Sequence, residues 1–126
     1  MNTNIIKSLF MLSSKLKVER GQLYQLIQAA ESCYCLKDAE GQRKLGRILK
    51  EIPNPFSAIG DYYEAFYLTR IGQYEESQKN LEQTLIYAPE DYKAKSLIAL
   101  GGLEERRQNF QEAMRFRTEV TKFNNM

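Results

Sequence analysis

The sequence predicts an all-α fold, built as a right-handed superhelical stack of antiparallel helix hairpins. Two observations predict it. Apolar residues recur at steps of three and four along most of the chain, and no segment alternates as a strand does. Small residues also stand 36 apart, at Gly41, Ser77 and Ala113. Repetition with a period of about 20–50 residues is typical of an α-solenoid, in which each unit buries its apolar face against its neighbours.

About seven helices are predicted, and the first three have clear ends. An apolar face at steps of four and three runs over residues 3–17, after which a glycine interrupts the pattern. The second helix spans 22–36. Asp38 then provides a side chain that caps helix N-termini well, so the third helix is expected over 39–51. It ends before Pro53, because proline has no amide hydrogen to continue the helical ladder.

The remaining four helices follow the same signals. The fourth, 57–70, is the most aromatic part of the chain, and Gly72 supplies the turn to the fifth, 74–87. A proline then separates it from the sixth helix, 91–105, and the seventh spans 108–123. Because the connections are short, neighbouring helices are expected to be antiparallel.

The repeated small residues have a mechanical explanation. Where the two helices of a hairpin cross, a large side chain would hold their axes apart. Small residues also occur twelve positions before each member of the repeated set. We therefore expect three contact pairs: Ala29 with Gly41, Ala65 with Ser77, and Gly101 with Ala113.

Composition excludes several classes of function. With 126 residues, the chain is expected to form a single domain over 1–126. A formal net charge of +2 gives no general electrostatic case for binding nucleic acid. The chain has no histidine, which removes the commonest general base and the commonest metal ligand. We therefore expect no enzyme activity, no metal site and no cofactor.

The cysteines and the apolar runs bear on location. Cys33 and Cys35 are two residues apart, so on a helix they point in different directions and suit neither a shared metal nor a disulfide. We expect two small, buried, reduced residues rather than a redox or zinc site. The apolar run at 8–12 is too short for a secretory signal, and no stretch is long enough to span a membrane. These observations predict a cytoplasmic protein.

The unit over residues 58–92 resembles the tetratricopeptide repeat (TPR), a helix–turn–helix unit of about 34 residues. The matching residues are Ala65, Gly72, Tyr74, Ser77, Leu81, Leu85 and Pro89. The flanking units match less well, since Asp38 stands where Tyr74 is expected and Asn125 replaces the closing proline. The resemblance implies a TPR-like solenoid. It divides the chain into a half-repeat at 3–17, a degenerate repeat at 22–53, the best-matching repeat at 58–92 and a capping repeat at 94–126.

The resemblance also implies a binding surface. In TPR proteins the first helices of successive hairpins line a concave groove that receives a peptide, a helix or a partner surface. The corresponding positions here are Leu23, Leu26, Ala30, Ile59, Tyr62, Phe66, Thr69, Arg70, Lys95, Ile98 and Glu105. The lysine–asparagine clamp by which some members hold a C-terminal carboxylate is missing, since Leu26 and Ala30 occupy those places. An apolar or amphipathic ligand segment is therefore expected. Tyr62 and Phe66 could instead simply pack between hairpins.

The expected function is thus that of a non-catalytic protein–protein interaction module, a scaffold or adaptor for a protein or peptide partner. Two alternatives stay open, an RNA-binding helical repeat and a self-associating structural protein. RNA is the less favoured ligand, because the groove positions are apolar rather than basic. The helix at 3–17 is expected to cap the stack, to fill the groove or to form a homodimer with a second copy.

Overall fold

Six helices account for nearly all of residues 20–124, the part of the chain that the structure, a computed structural model, describes. No strand occurs in that part, so the all-α class is confirmed. The helices are α1 Arg20–Cys35, α2 Ala39–Lys50, α3 Phe56–Arg70, α4 Tyr74–Tyr87, α5 Glu90–Arg106 and α6 Phe110–Asn124. The helix expected at 3–17 lies outside the described residues, as does Asn125. Each described helix packs against the next one along the chain, and α3 also contacts α5.

The turns within the three hairpins have the same backbone geometry. Each contains one residue in the left-handed region: Lys37 (φ 59°), Gly72 (φ 83°) and Gln108 (φ 61°). The amide that follows donates to the carbonyl oxygen five residues earlier: Asp38 to Cys33 (2.7 Å), Gln73 to Leu68 (2.8 Å) and Asn109 to Glu104 (2.8 Å). This is the Schellman pattern, which satisfies carbonyls that the helix end leaves free. The sequence repeat is therefore also a repeat of local structure.

Local capping explains where the helices begin. The Asp38 side chain accepts a hydrogen bond from the amide of Gly41 at 3.0 Å, so the predicted N-cap of α2 is confirmed. Before α3, the Asn54 side chain accepts from the amide of Ala58 at 3.1 Å. The last helix was expected from residue 108 but begins at Phe110, because Gln108 has the left-handed conformation of the turn.

Two of the three predicted hairpin contacts are confirmed. In the α3–α4 hairpin, the Ser77 hydroxyl is fully buried and donates to the carbonyl oxygen of Ala65 at 3.0 Å. In the α5–α6 hairpin, a Cβ added at Gly101 would lie 3.6 Å from the carbonyl oxygen of Ala113. Small residues at these crossings therefore let the helices approach closely.

The α1–α2 hairpin departs from the expectation. Ala29 is exposed, and the α1 atom nearest to a Cβ added at Gly41 would be the Cys33 sulfur, at 2.7 Å. The expected burial of both cysteines is wrong, since Cys33 is half-buried and Cys35 is exposed. Both are free thiols. Burial, followed by the neighbouring Asp38 carboxylate, raises the pKa of the Cys33 thiol, so it stays protonated at neutral pH.

Two helix backbones approach closely between hairpins, where α2 crosses α3. A Cβ added at Gly60 would be 2.4 Å from the carbonyl oxygen of Gly46, and one added at Gly46 would be 2.8 Å from that of Gly60. Such distances leave no room for a side chain at either position. These two glycines therefore define how α2 and α3 pack.

An ionic network with two buried carboxylates, Asp61 and Glu64, covers the same crossing. The Lys50 ammonium lies 3.2 Å from Asp61 and 3.0 Å from Glu64. Glu64 also accepts from Arg47 at 3.2 Å and from Asn80 of α4 at 3.0 Å. Burial alone would raise the pKa of Glu64, but these hydrogen bonds outweigh it and lower that pKa. Burial raises the pKa of Asp61, and Lys50 offsets only part of this effect.

The hydrophobic core centres on α3, in which most side chains are buried. The largest fully buried apolar side chains of this core come from the five helices α1 to α5: Leu23, Leu49, Phe56, Ile59, Tyr63, Leu81, Leu97, Leu100 and Leu103. Because α3 contributes to the core on several sides, only a short part of its surface is left for a ligand. No helix within residues 20–124 is long and apolar enough to cross a membrane.

Candidate functional site

An open cavity lies between the C-terminal ends of α1, α3 and α5. Its volume is about 360 Å³. The apolar lining consists of Tyr34, Ala39, Ala65, Phe66, Leu81, Ala99, Gly102 and Leu103. The polar lining consists of Lys37, Gln42, Thr69, Arg70 and Arg106. Because α1, α3 and α5 are the first helices of successive hairpins, the cavity lies on the face that they share. We call it the α1/α3/α5 cavity.

Two aromatic side chains form one wall of this cavity. Tyr34 is 50 % exposed, and its ring centroid lies 5.2 Å from that of Phe66. Phe66 in turn meets the buried Tyr62 edge to face, at a centroid distance of 5.0 Å. Such pairs hold the rings in place more firmly than apolar burial alone. The wall is therefore accessible and supported from behind by Tyr62.

Beyond this wall the shared face is filled rather than open. Tyr62 packs against Tyr92 at a centroid distance of 5.5 Å, and the buried hydroxyls of Tyr63 and Tyr92 lie 3.1 Å apart. Burial raises the pKa of all three tyrosines, so they stay uncharged. The Lys95 ammonium lies 5.0 Å from the Tyr92 ring and pairs with Glu31 of α1 at 3.1 Å. This contact joins α1 to α5 and closes that part of the face.

The rim of the cavity is basic. Lys37 lies in the α1–α2 turn, Arg70 ends α3 and Arg106 ends α5. The Arg70 guanidinium donates to the carbonyl oxygen of Lys37 at 3.4 Å. Neither Asp nor Glu lines the cavity. No carboxylate of the described residues lies within ion-pair distance of these three cations, so none of those carboxylates compensates their charge.

One polar group in the wall has no hydrogen-bond partner among residues 20–124. Gln42 of α2 is only 3 % exposed, and its Nε2 is a buried donor for which these residues supply no acceptor. Buried amides are normally satisfied, because an unpaired one loses its hydration without compensation. Gln42 lines the same cavity as the three cations. The cavity therefore combines an apolar interior with positive charge, and an unpaired donor is enclosed in its wall.

The structure brings several of the predicted groove residues together. Phe66, Thr69 and Arg70 line the cavity. Tyr62 lies directly behind Phe66 in the buried aromatic cluster, and Lys95 lies beyond that cluster on the same side. Tyr62 thus has the packing role that the sequence left open for it, whereas Phe66 is reached from the cavity.

The other predicted groove residues lie elsewhere. Three are fully or almost fully buried in the core: Leu23, Ala30 and Ile59. Leu26 is half-buried and packs against that core. Ile98 is 59 % exposed but does not line the cavity. Glu105 pairs with Arg117 of α6, so its carboxylate points toward the second helix of its own hairpin.

Sequence reasoning missed Tyr34, Lys37, Gln42 and Arg106. A signal for two of them was present, because Tyr34, Arg70 and Arg106 stand 36 residues apart. The same repeat position of each hairpin therefore reaches the cavity. Gln42 also has an equivalent 36 residues later, Gln78, which does not line the cavity. No such signal marks Lys37, since Gln73 stands 36 residues after it.

No known family model, curated protein or solved structure matches this chain. The site must therefore be interpreted from its own geometry. Within residues 20–124, no three His, Cys, Asp or Glu side chains are grouped so that they could hold a metal ion. The cavity can therefore bind a ligand through apolar contacts, positive charge and hydrogen bonds.

Proposed function

We propose that this chain is a non-catalytic protein-binding module, a TPR-like right-handed stack of helix hairpins that holds a segment of a partner protein in the α1/α3/α5 cavity. The single observation that carries the proposal is an open, largely apolar cavity lined mainly by the first helices of three successive hairpins, with additional residues from α2 and α4. The helix expected at 3–17 would be the seventh helix of the stack and would cap it or join two copies.

Three features support a repeat architecture. The hairpin turns share one hydrogen-bond geometry. Small residues stand at the crossings Ala65–Ser77 and Gly101–Ala113. Tyr34, Arg70 and Arg106 reach the cavity from equivalent positions. In an array of this kind the face lined by the first helices is the usual place for a ligand, because loops and second helices cover the other sides.

The lining favours a protein segment over RNA. Exposed aromatic side chains at the edge of an apolar cavity are good anchors for a large side chain of a partner. Single-stranded RNA requires a positive groove that follows the backbone, whereas this chain has a net charge of only +2. We propose a cytoplasmic location as well, which the free thiols of Cys33 and Cys35 support.

Selection from a displayed library of random peptides tests this proposal. The wild type is compared with Gly102→Phe, which fills the cavity from α5, where an added Cβ would meet nothing within 4 Å. The matched control is Gln83→Phe, which adds the same ring to an exposed position of α4 outside the cavity. Circular dichroism melts establish that both variants fold.

The expected result is a set of peptides enriched by the wild type and by Gln83→Phe but not by Gly102→Phe. If Gly102→Phe enriches the same peptides, the cavity is not the binding site. If the wild type enriches none, while a labelled uridine oligonucleotide binds and Gly102→Phe abolishes that binding, the module binds RNA instead. Light scattering of the full chain with and without residues 1–18 separately tests self-association.

A further inference from the structure

The proposed function leaves the chemistry of the partner segment open. We infer that the α1/α3/α5 cavity is built for an acidic segment, in which one large apolar side chain enters the cavity, neighbouring Asp or Glu side chains meet Lys37, Arg70 and Arg106, and an oxygen of the segment accepts from Gln42. This inference rests on the proposed function and makes it more specific.

Charge at the rim is the first observation. Elsewhere in residues 20–124 most basic side chains already pair with a carboxylate: Arg43, Arg47, Lys50, Lys93, Lys95, Arg107, Arg115 and Arg117. The three cations at the cavity do not, and no acidic residue lines it. A ligand that carries negative charge therefore compensates charges that the fold leaves uncompensated.

The spacing of these cations indicates more than one acidic group. They come from three successive helix ends rather than from one. Lys37 follows α1, whereas Arg70 and Arg106 end α3 and α5, so a segment that carries acidic side chains at several positions can meet all three. Several acidic side chains along a segment fit this arrangement better than one chain terminus does.

The orphan amide of Gln42 is the second, independent observation. Its Nε2 is a buried donor without an acceptor among the residues that the structure describes, on a side chain that is 3 % exposed and lines the cavity. A carbonyl or carboxylate oxygen of a bound segment would supply that acceptor. Apolar contact alone would leave the donor unpaired, so a ligand that brings an oxygen to it as well as an apolar side chain gains a hydrogen bond.

The chain's own N-terminal segment does not meet this requirement. Residues 1–18 are apolar enough to enter a cavity, but they contain Lys7, Lys15 and Lys17 and neither Asp nor Glu. Placing that segment beside three uncompensated cations would bring like charges together. A separate, acidic partner is therefore the favoured occupant.

The composition of selected peptides tests this inference. The library is selected on the wild type, on the double variant Arg70→Glu/Arg106→Glu, and on the matched control Lys44→Glu/Lys79→Glu. The control makes the same change in net charge at exposed positions outside the cavity. We expect the wild type and the control to enrich peptides with Asp or Glu beside an aromatic or aliphatic residue. The cavity variant should enrich peptides with Lys or Arg instead.

One capped peptide from the wild-type pool then gives dissociation constants. Replacing its acidic residues by Asn or Gln should weaken binding about tenfold, and the loss should shrink at high salt, which screens the charges. Gln42→Met should weaken binding several-fold with little change in salt dependence, because the amide carries no net charge.

The outcomes separate this inference from the proposed function. Enrichment of neutral or basic peptides by the wild type, lost in Gly102→Phe, would overturn the acidic segment and leave the binding module in place. If Arg70→Glu/Arg106→Glu enriches the same acidic peptides as the wild type, the basic rim does not select for acidic residues and the inference fails. No enrichment by the wild type would overturn both. An oligonucleotide that binds through Arg70 and Arg106 more tightly than any selected peptide would also overturn the inference.

Discussion

The two sides of α3 differ in how completely their charged groups and apolar surfaces are paired or packed within the fold. On the side toward α2, Gly60 meets Gly46 in backbone contact, and buried Asp61 and Glu64 share Lys50. On the side toward α1 and α5, Phe66 is only half-buried and Arg70 has no carboxylate partner among the described residues. The groups on the first side stabilise the packing of α3 against α2. Those on the second side leave apolar surface and positive charge accessible to a ligand.

This difference indicates where the chain tolerates change. A crossing with backbone contact has no space for an added atom, because protein interiors are packed densely. The cavity side has open volume, so substitutions there should alter binding more than stability. Each of the following predictions tests that division between the two sides, beginning with the largest expected effect.

Gly60→Ala should produce the largest loss of stability. Its Cβ would lie 2.4 Å from the carbonyl oxygen of Gly46 and 2.8 Å from the amide nitrogen of Lys50. Both neighbours are backbone atoms that cannot rotate away, so α2 and α3 must move apart. We expect a loss of about 3 kcal/mol in the free energy of unfolding, measured in urea.

The matched control is Gly102→Ala, on the cavity side of α5. An added Cβ there meets nothing within 4 Å. Replacing a mid-helix glycine by alanine should then stabilise the protein by about 0.5–1 kcal/mol, because alanine loses less backbone entropy on folding. Equal effects of the two substitutions would show that the α2–α3 crossing is not as close as the structure has it.

Glu64→Gln and Asp61→Asn should differ although both remove a buried carboxylate. Hydrogen bonds lower the pKa of Glu64, so its ionised form stabilises the fold, and Glu64→Gln should cost about 2 kcal/mol at neutral pH. Burial raises the pKa of Asp61, so its ionised form is disfavoured on folding. Asp61→Asn should therefore leave stability unchanged or raise it slightly.

The pH dependence of the free energy of unfolding shows whether each ionised carboxylate stabilises or destabilises the fold. A lowered pKa in the folded state means that the contribution of Glu64 is present above the ordinary value of 4.5 and is lost as pH falls through the folded-state pKa. The deficit of Glu64→Gln should thus narrow in acid. For Asp61, the cost of ionisation is present above its raised pKa and disappears below it. Denaturant unfolding at several pH values measures both, and a widening deficit for Glu64→Gln in acid would contradict the assignment.

Tyr63→Phe should have a smaller effect. It removes one of two buried hydroxyls that lie 3.1 Å apart and leaves that of Tyr92 without this partner. The expected loss is about 1 kcal/mol. Tyr87→Phe serves as the control, because Tyr87 is 51 % exposed and water can replace any contact of its hydroxyl. A similar loss in both variants would mean that the buried pair adds nothing.

Much of the fold could be predicted from the sequence, because the apolar period and the turn residues are local signals. The end of α5 and the bounds of α4 follow from them closely. The Gly46–Gly60 crossing was missed, since it lies between hairpins and does not belong to the repeated set at Gly41. A partial signal existed: Ser96 stands 36 residues after Gly60. Its buried hydroxyl donates to the carbonyl oxygen of Leu81 of α4 at 2.9 Å, at the next such crossing.

The candidate site was less accessible to sequence reasoning. The repeat correctly marks the helices whose faces are shared, and Phe66, Thr69 and Arg70 do line the cavity. It cannot tell which part of that face is filled. That depends on the Tyr62–Tyr92 packing and the Glu31–Lys95 pair, which join residues far apart in the chain.

The measurement that tests the central claim most directly is a pair of readings on Gln42→Met, namely the free energy of unfolding and the dissociation constant of a selected acidic peptide. The buried donor of Gln42 has no partner in the described part of the chain, so a side chain of similar shape without the amide should raise stability slightly, by less than about 1 kcal/mol. The same change should weaken peptide binding several-fold. Lower stability with unchanged binding would contradict the claim that the cavity side of the molecule has an unpaired donor that a partner segment satisfies.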